Sequence, residues 1–172
     1  MSPRRSQSPF KKVQSKEKEQ SLELFIGNEK SYEGETLNGM RHGKGTLYFE
    51  EASYEGHFVK HKREGHGKLV SDSGHTYVGE FKEDNFSGMG TYTWPNKQVH
   101  KGQWQNGMRH GQGLLTFASG LTTLQGTWKD DKVDGECKVK YLHGDEYKGE
   151  MYNLVPHGKG TYKYYKQGYA EG

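Results

Sequence analysis

Aliphatic side chains are scarce in this 172-residue chain. Only 30% of it is hydrophobic, against about 45–50% in an ordinary globular domain, so a thick two-layer core is excluded. No apolar run nears the roughly 18 residues of a membrane span. The best stretch, Leu114 to Leu121, is broken by Thr116, Ser119 and Gly120. Arg4 and Arg5 are followed by no apolar segment, so no secretory leader is predicted. The one cysteine, Cys137, cannot close an internal disulfide, which predicts a reducing, intracellular and cytoplasmic setting. An excess of one charge is also missing from most of the chain. Residues 1–20 carry six basic and two acidic side chains, while the rest carries 19 basic and 20 acidic. A neutral body argues against a nucleic-acid groove, which needs a basic stripe.

Rings and glycine are abundant instead: 12 Tyr, 7 Phe, 3 Trp and 25 Gly. Disordered chains are poor in aromatics, so rings without aliphatics point to an ordered structure one layer deep. The glycines are periodic. One series falls at 34, 56, 79, 102, 126, 149 and 172, a second at 43, 65, 88, 111, 135 and 158, and a third at 45, 67, 90, 113 and 160. Cys137 takes the missing place in the third series. The first and second series are always nine residues apart, whereas the distance from the third position to the next unit runs from 11 to 13. Length change is thus confined to one turn per unit, as in a hairpin joined to the next by a looser turn. The extra residue of the fourth unit falls near Ser119 to Thr123.

Around the glycines apolar residues alternate with polar ones. Tyr54 and Phe58, Tyr77 and Phe81, His100 and Trp104, Leu124 and Trp128, and Tyr147 and Met151 flank the first glycine. Period-two alternation over five to seven residues predicts strands with one apolar face. The fold class that follows is all-β: a single-layer, twisted antiparallel sheet of six consecutive β-hairpins. Glycine weakens a strand interior, so its place on the ring face predicts that an aromatic from one strand lies across the bare backbone of the next. The polar stretch inside each unit, such as Asn38–His42 or Gln105–His110, reads as an exposed connection. A disordered basic tail is expected over 1–20 and a repeat domain over 21–172, with units starting near 32, 54, 77, 100, 124 and 147 and a capping strand at 22–26.

The first unit reads Tyr32-Glu-Gly34, then Gly39-Met-Arg-His42-Gly43-Lys-Gly45. The fourth reads Lys101-Gly102-Gln-Trp104, then Gly107-Met-Arg-His110-Gly111-Gln-Gly113, and the sixth pairs Tyr147-Lys-Gly149 with His157-Gly158-Lys-Gly160. This pattern resembles the MORN (membrane occupation and recognition nexus) repeat over about residues 31–172. Unit five departs most, with Leu124 for Tyr, Asp134 for His and Cys137 for Gly, and predicts an irregularity in twist or packing there. The resemblance implies a curved sheet of hairpins, and a non-enzymatic scaffold or adaptor in a ciliary, flagellar axonemal or other cytoskeletal assembly. Some relatives tether membranes or accompany phosphoinositide kinases. A regulatory repeat region of a larger enzyme is the other alternative, since the chain stops one triplet into a seventh unit.

No catalytic residue, metal or cofactor is indicated. His42, His110 and His157 recur at one register but in separate units, roughly 20–30 Å apart, too far to share a zinc. The Gly-x-Gly pairs never reach the third glycine of a nucleotide loop, and no nucleophile elbow or zinc-protease motif occurs. Cys137 fills a repeat slot and is expected to be packed. The ring stripe is the candidate partner-binding site: Tyr54, Phe58, Tyr77, Phe81, Trp94, Trp104, Phe117, Trp128 and Tyr147. A one-layer sheet offers nothing to cover that face, and exposed apolar patches mark interaction surfaces. An amphipathic helix or extended segment is the expected ligand. In the tail, Arg4, Arg5, Lys11 and Lys12 are candidate contacts to anionic lipid or an acidic partner. Ser2 and Ser8 sit in Ser-Pro-x-basic sequences, so phosphorylation there would offset the basic charge. Unpaired sheet ends would allow a homodimer.

Overall fold

The computed structural model describes residues 27–165 apart from 153. The tail residues Ser2, Arg4, Arg5, Ser8, Lys11 and Lys12 and the expected capping strand at 22–26 lie outside the described residues. Among the described residues there is no helix. The twelve strands are β1 (Glu29–Leu37), β2 (Met40–Phe49), β3 (Ala52–Val59), β4 (Lys62–Ser71), β5 (Thr76–Lys82), β6 (Asn85–Thr93), β7 (Val99–Gln105), β8 (Met108–Thr116), β9 (Thr123–Lys129), β10 (Lys132–Lys140), β11 (Glu146–Tyr152) and β12 (Val155–Lys163). They form one antiparallel sheet in sequence order, β1 to β12, two strands to a unit.

The registers explain the glycine series. The first and third glycines pair directly across every boundary: Gly34 with Gly45, Gly45 with Gly56, Gly56 with Gly67, and so on through Gly79, Gly90, Gly102, Gly113 and Gly126. Cys137 interrupts the line once before Gly149 and Gly160 complete it. A seam of bare backbone therefore crosses eleven of the twelve strands at right angles. The second glycine has another task. From Gly56 to Val59 is three residues, but from their partners Gly67 back to Lys62 is five, so the second strand of the hairpin carries two extra residues. The same mismatch occurs in every unit, including the fifth. The second glycine sits in that bulge with φ between 55° and 80°, a region costly for residues with a Cβ.

The two kinds of turn differ as the spacings predict. Inside units one to five the turn is only two residues long, with both φ positive in the hairpin-type geometry: Asn38-Gly39, Lys60-His61, Glu83-Asp84, Asn106-Gly107 and Asp130-Asp131. The longer polar connections expected inside the units are thus corrected, because His42 and His110 lie in β2 and β8. Between units the turns vary. Trp94 and Gln98 close one by hydrogen bonding, as do Tyr141 and Asp145, but Phe117 bonds one residue farther, to Thr122. Leu121 is the extra residue of unit four. The irregularity expected in unit five is not in its backbone, whose bulge matches the rest. It lies in packing, where Cys137 Cβ stands 3.0 Å from the place a Cβ on Gly126 would take.

Candidate interaction surface

Alternation puts the rings and the glycine seam on one face. A Tyr two residues before the first glycine lies over the paired glycines of its own hairpin. A Cβ on Gly67 would meet Tyr54 Cζ at 2.6 Å, and one on Gly79 would meet the Tyr77 hydroxyl at 2.7 Å. The hydroxyl then donates to the carbonyl three residues on, at the bulge: Tyr32 to Glu35 (2.7 Å), Tyr54 to His57 (3.1 Å), Tyr77 to Glu80 (2.9 Å) and Tyr147 to Glu150 (2.7 Å). Where Tyr fills this register it thus contributes its oxygen as well as its ring. Burial pushes the Tyr54 hydroxyl up to about 12, against the pull of Arg63, so it stays a donor.

The rings contact one another in a zigzag. Tyr32 meets Phe58 (5.3 Å), Phe58 meets Tyr54 (5.1 Å), Tyr54 meets Phe81 (4.8 Å), Phe81 meets Tyr77 (5.2 Å) and Tyr77 meets Trp104 (5.5 Å), all edge to face. Trp104 meets His100 (5.4 Å), which meets Trp128 (4.9 Å). Such pairs contribute about 0.5–1.5 kcal/mol each beyond burial. Arginines cover them: Arg63 lies over Tyr54 and Phe81, and Arg109 lies 4.3 Å from the Trp128 ring centre. Each guanidinium is locked by the next unit's turn. Arg63 Nε donates to Asp84 Oδ1 (3.1 Å) and its Nη2 to the Asp84 carbonyl (2.8 Å), and Arg109 makes the same two bonds to Asp131. The turn amides complete this ladder: Asp84 N donates to the Arg63 carbonyl and Asp131 N to that of Arg109, both at 3.1 Å.

This overturns the expectation that the ring row is left uncovered. Tyr54, Phe58, Tyr77, Phe81, Trp104, Phe117, Trp128 and Tyr147 are all buried, and Trp94 is half-buried. The bulge is the physical reason. It bends the second strand so that the turn half of each hairpin, with Phe58, Phe81 or Trp104 and the arginine, comes back over the glycine half. The sequence reading missed Arg41, Arg63 and Arg109, although they recur two residues before the second glycine. The signal for Asp84 and Asp131 was their place in the next unit's turn.

Cys137 is buried, which raises its thiol to about 11 and keeps it protonated. Among the described residues no group of three or more His, Cys, Asp or Glu is placed to hold a metal. His61 Nδ1 accepts from Arg41 N (3.4 Å), and His110 lies 3.7 Å from Asp130.

The opposite face is open. A groove of about 870 Å³ runs over the back of the glycine seam from β2 to β7, edged by Lys44, His57, His66, Lys68 and Lys101, with Val78, Met89 and Thr91 between them. Val78 and Met89 are about half exposed.

The MORN repeat family profile matches residues 32–51, 54–76, 77–99, 100–122 and 147–169. The gap falls on unit five, where Leu124, Asp134 and Cys137 replace the usual residues. The chain is also similar to alsin of Homo sapiens and of Mus musculus, at 31% identity over 143 residues, and to that of Rattus norvegicus at 30%. Each alignment covers 76% of this chain but only 9% of alsin.

Proposed function

This chain belongs to the MORN-repeat family, and from that premise we propose that it is a scaffold or adaptor whose sheet holds a protein partner as an extended segment or amphipathic helix. The repeat is a non-catalytic interaction module found in scaffold and membrane-associated proteins. One observation carries the reading: a rigid twelve-strand array that spends its rings on its own stability and keeps a long polar face free. Trp94 is the one ring of the expected stripe left partly accessible to a partner. A ciliary, flagellar or cytoskeletal assembly in the cytoplasm fits the wider family, and a homodimer through the sheet ends would leave this face free. The test is purification of the full chain, and of a chain lacking residues 1–26, with the bound proteins identified. The same partner on both supports the reading. Loss on removing the tail moves the function to the tail and its anionic-surface alternative, and no partner on either removes the reading. Replacing Trp104 and Trp128 by Ala is a poor probe, because emptying these buried sites costs about 3–5 kcal/mol each.

A second reading has its own support. Alsin is roughly ten times longer than the segment it shares with this chain, so such arrays do form small parts of large proteins. A regulatory repeat region acting on a linked or bound enzyme is the alternative. It would show as a change in that enzyme's rate when the array is added or removed.

A further inference from the structure

The groove behind the glycine seam has a defined charge. Lys44, Lys68 and Lys101 stand on β2, β4 and β7, and among the described residues none of the three forms an ion pair. Glu55 is the one carboxylate on its lining, where His57 and His66 also stand. The second half of the same face behaves differently, for Lys138 there is paired with Glu146 at 3.1 Å. Between the free lysines, Val78 and Met89 leave apolar side chains in solvent. We infer that this groove binds an acidic, extended protein segment lying across the strands along the glycine seam, with alternate apolar residues against Val78 and Met89. This rests on the scaffold reading and names the face and chemistry of the partner.

Geometry narrows the occupant. At about 4.8 Å per strand and 3.3 Å per residue, Lys44 and Lys68, on opposite sides of the glycine line, are roughly 12 Å apart, and Lys68 and Lys101, in one row, roughly 14 Å. An extended chain rises about 3.3 Å per residue and turns every second side chain to one face, so carboxylates at i, i+4 and i+8 reach all three lysines and an apolar side chain at i+6 faces Val78 and Met89. A flat lipid surface cannot enter the hollow, and the chain's own tail has the wrong sign. Unpaired surface cations facing a carboxylate-bearing chain add specificity and on-rate, and their effect is screened by salt.

The probe is the synthetic peptide Glu-Ser-Val-Ser-Glu-Ser-Val-Ser-Glu, whose Glu and Val side chains share one face when extended, with the same peptide carrying Lys for Glu as its counterpart. Both are titrated into the isotope-labelled full chain and followed by amide chemical shifts. The proposal expects the Glu peptide alone to move resonances around Lys44, Lys68, Val78, Met89 and Lys101. It also expects the Lys44→Glu, Lys68→Glu, Lys101→Glu variant to bind at least about tenfold more weakly, while Lys138→Glu with Lys148→Glu changes nothing. Equal binding of both peptides, shifts elsewhere, or no shifts overturns it. So does binding of phosphatidylserine vesicles through these residues without binding of the peptide. A captured native partner that ignores the charge reversal removes this inference and leaves the scaffold reading standing.

Discussion

The two halves of the sheet share one backbone plan but fill it with different side chains. From unit one to the first strand of unit four the core is a run of rings, with Tyr54, Phe58, Tyr77, Phe81, Tyr92 and Trp104 in one cluster. In the later units Leu115, Leu124, Val133, Cys137, Val139 and Met151 take over much of the space around Trp128 and Tyr147. Trp94 packs against both clusters. The junction is His100, which occupies the Tyr register but supplies no hydroxyl. Among the described residues its Nδ1 and Nε2 are buried without hydrogen-bond partners, as is Trp128 Nε1, whereas Trp104 Nε1 donates to the Gly90 carbonyl (3.2 Å). Burial first, and the Arg109 charge second, hold His100 down at about 3. The comparison teaches that the bulge and the turn ladder carry the fold. The ring row is one of two ways to cover a glycine seam.

The largest contrast should come from the seam itself. Gly67→Ala pushes a methyl into the Tyr54 ring, with Cζ at 2.6 Å, and is expected to cost about 3 kcal/mol. Gly126→Ala meets Cys137 Cβ at 3.0 Å and nothing else within 3.5 Å, so its cost should stay under about 1 kcal/mol. Urea midpoints of the full chain measure both, and equal losses would break the distinction between the halves. The turn ladder should show the opposite behaviour. Asp84→Ala and Asp131→Ala each take the carboxylate from a nearly buried guanidinium, leaving its bond to the turn carbonyl, and should each cost about 2 kcal/mol, alike in both halves. A clear inequality would mean that the ladder, too, differs between the halves.

The junction gives the smallest effects. The His100 ring is neutral in the fold, whereas the unfolded chain binds its proton near 6.5. This contribution is therefore full above pH 6.5 and falls as pH drops toward about 3. Between pH 6.5 and 5 the loss should be about 2 kcal/mol, read from urea midpoints across pH. His100→Tyr should remove that acid-side decline and add about 1 kcal/mol at neutral pH, by giving the Gln103 carbonyl the hydroxyl its counterparts have. Tyr77 beside Trp104 shows that the larger ring fits next to a tryptophan. A variant no more stable than the parent would show that the later half cannot accept a ring there.

Much of this architecture was legible in residues alone. The nine-residue spacing reported a constant hairpin half, and the 11 to 13 spacing a variable turn, because inserted residues leave register intact only at a turn. Tyr two before Gly foretold the ring over the seam. The Arg63–Asp84 and Arg109–Asp131 contacts were not legible, because their partners lie 21 and 22 residues apart and meet only when successive bulges stack the turns. The back groove was hidden for a related reason: Lys44, Lys68 and Lys101 look like scattered surface charge until the strands place them on one hollow.

Periodic glycine, by itself, determined an antiparallel ribbon of hairpins with its rings on one side, since a side chain's face follows from its parity along a strand. Whether that side is open or closed was decided only in three dimensions. Parity says nothing of curvature, and curvature comes from a two-residue mismatch between paired strands together with bonds from each turn to the unit before it. Those bonds fold the rings inward and leave the lysine-edged back of the sheet as its open surface.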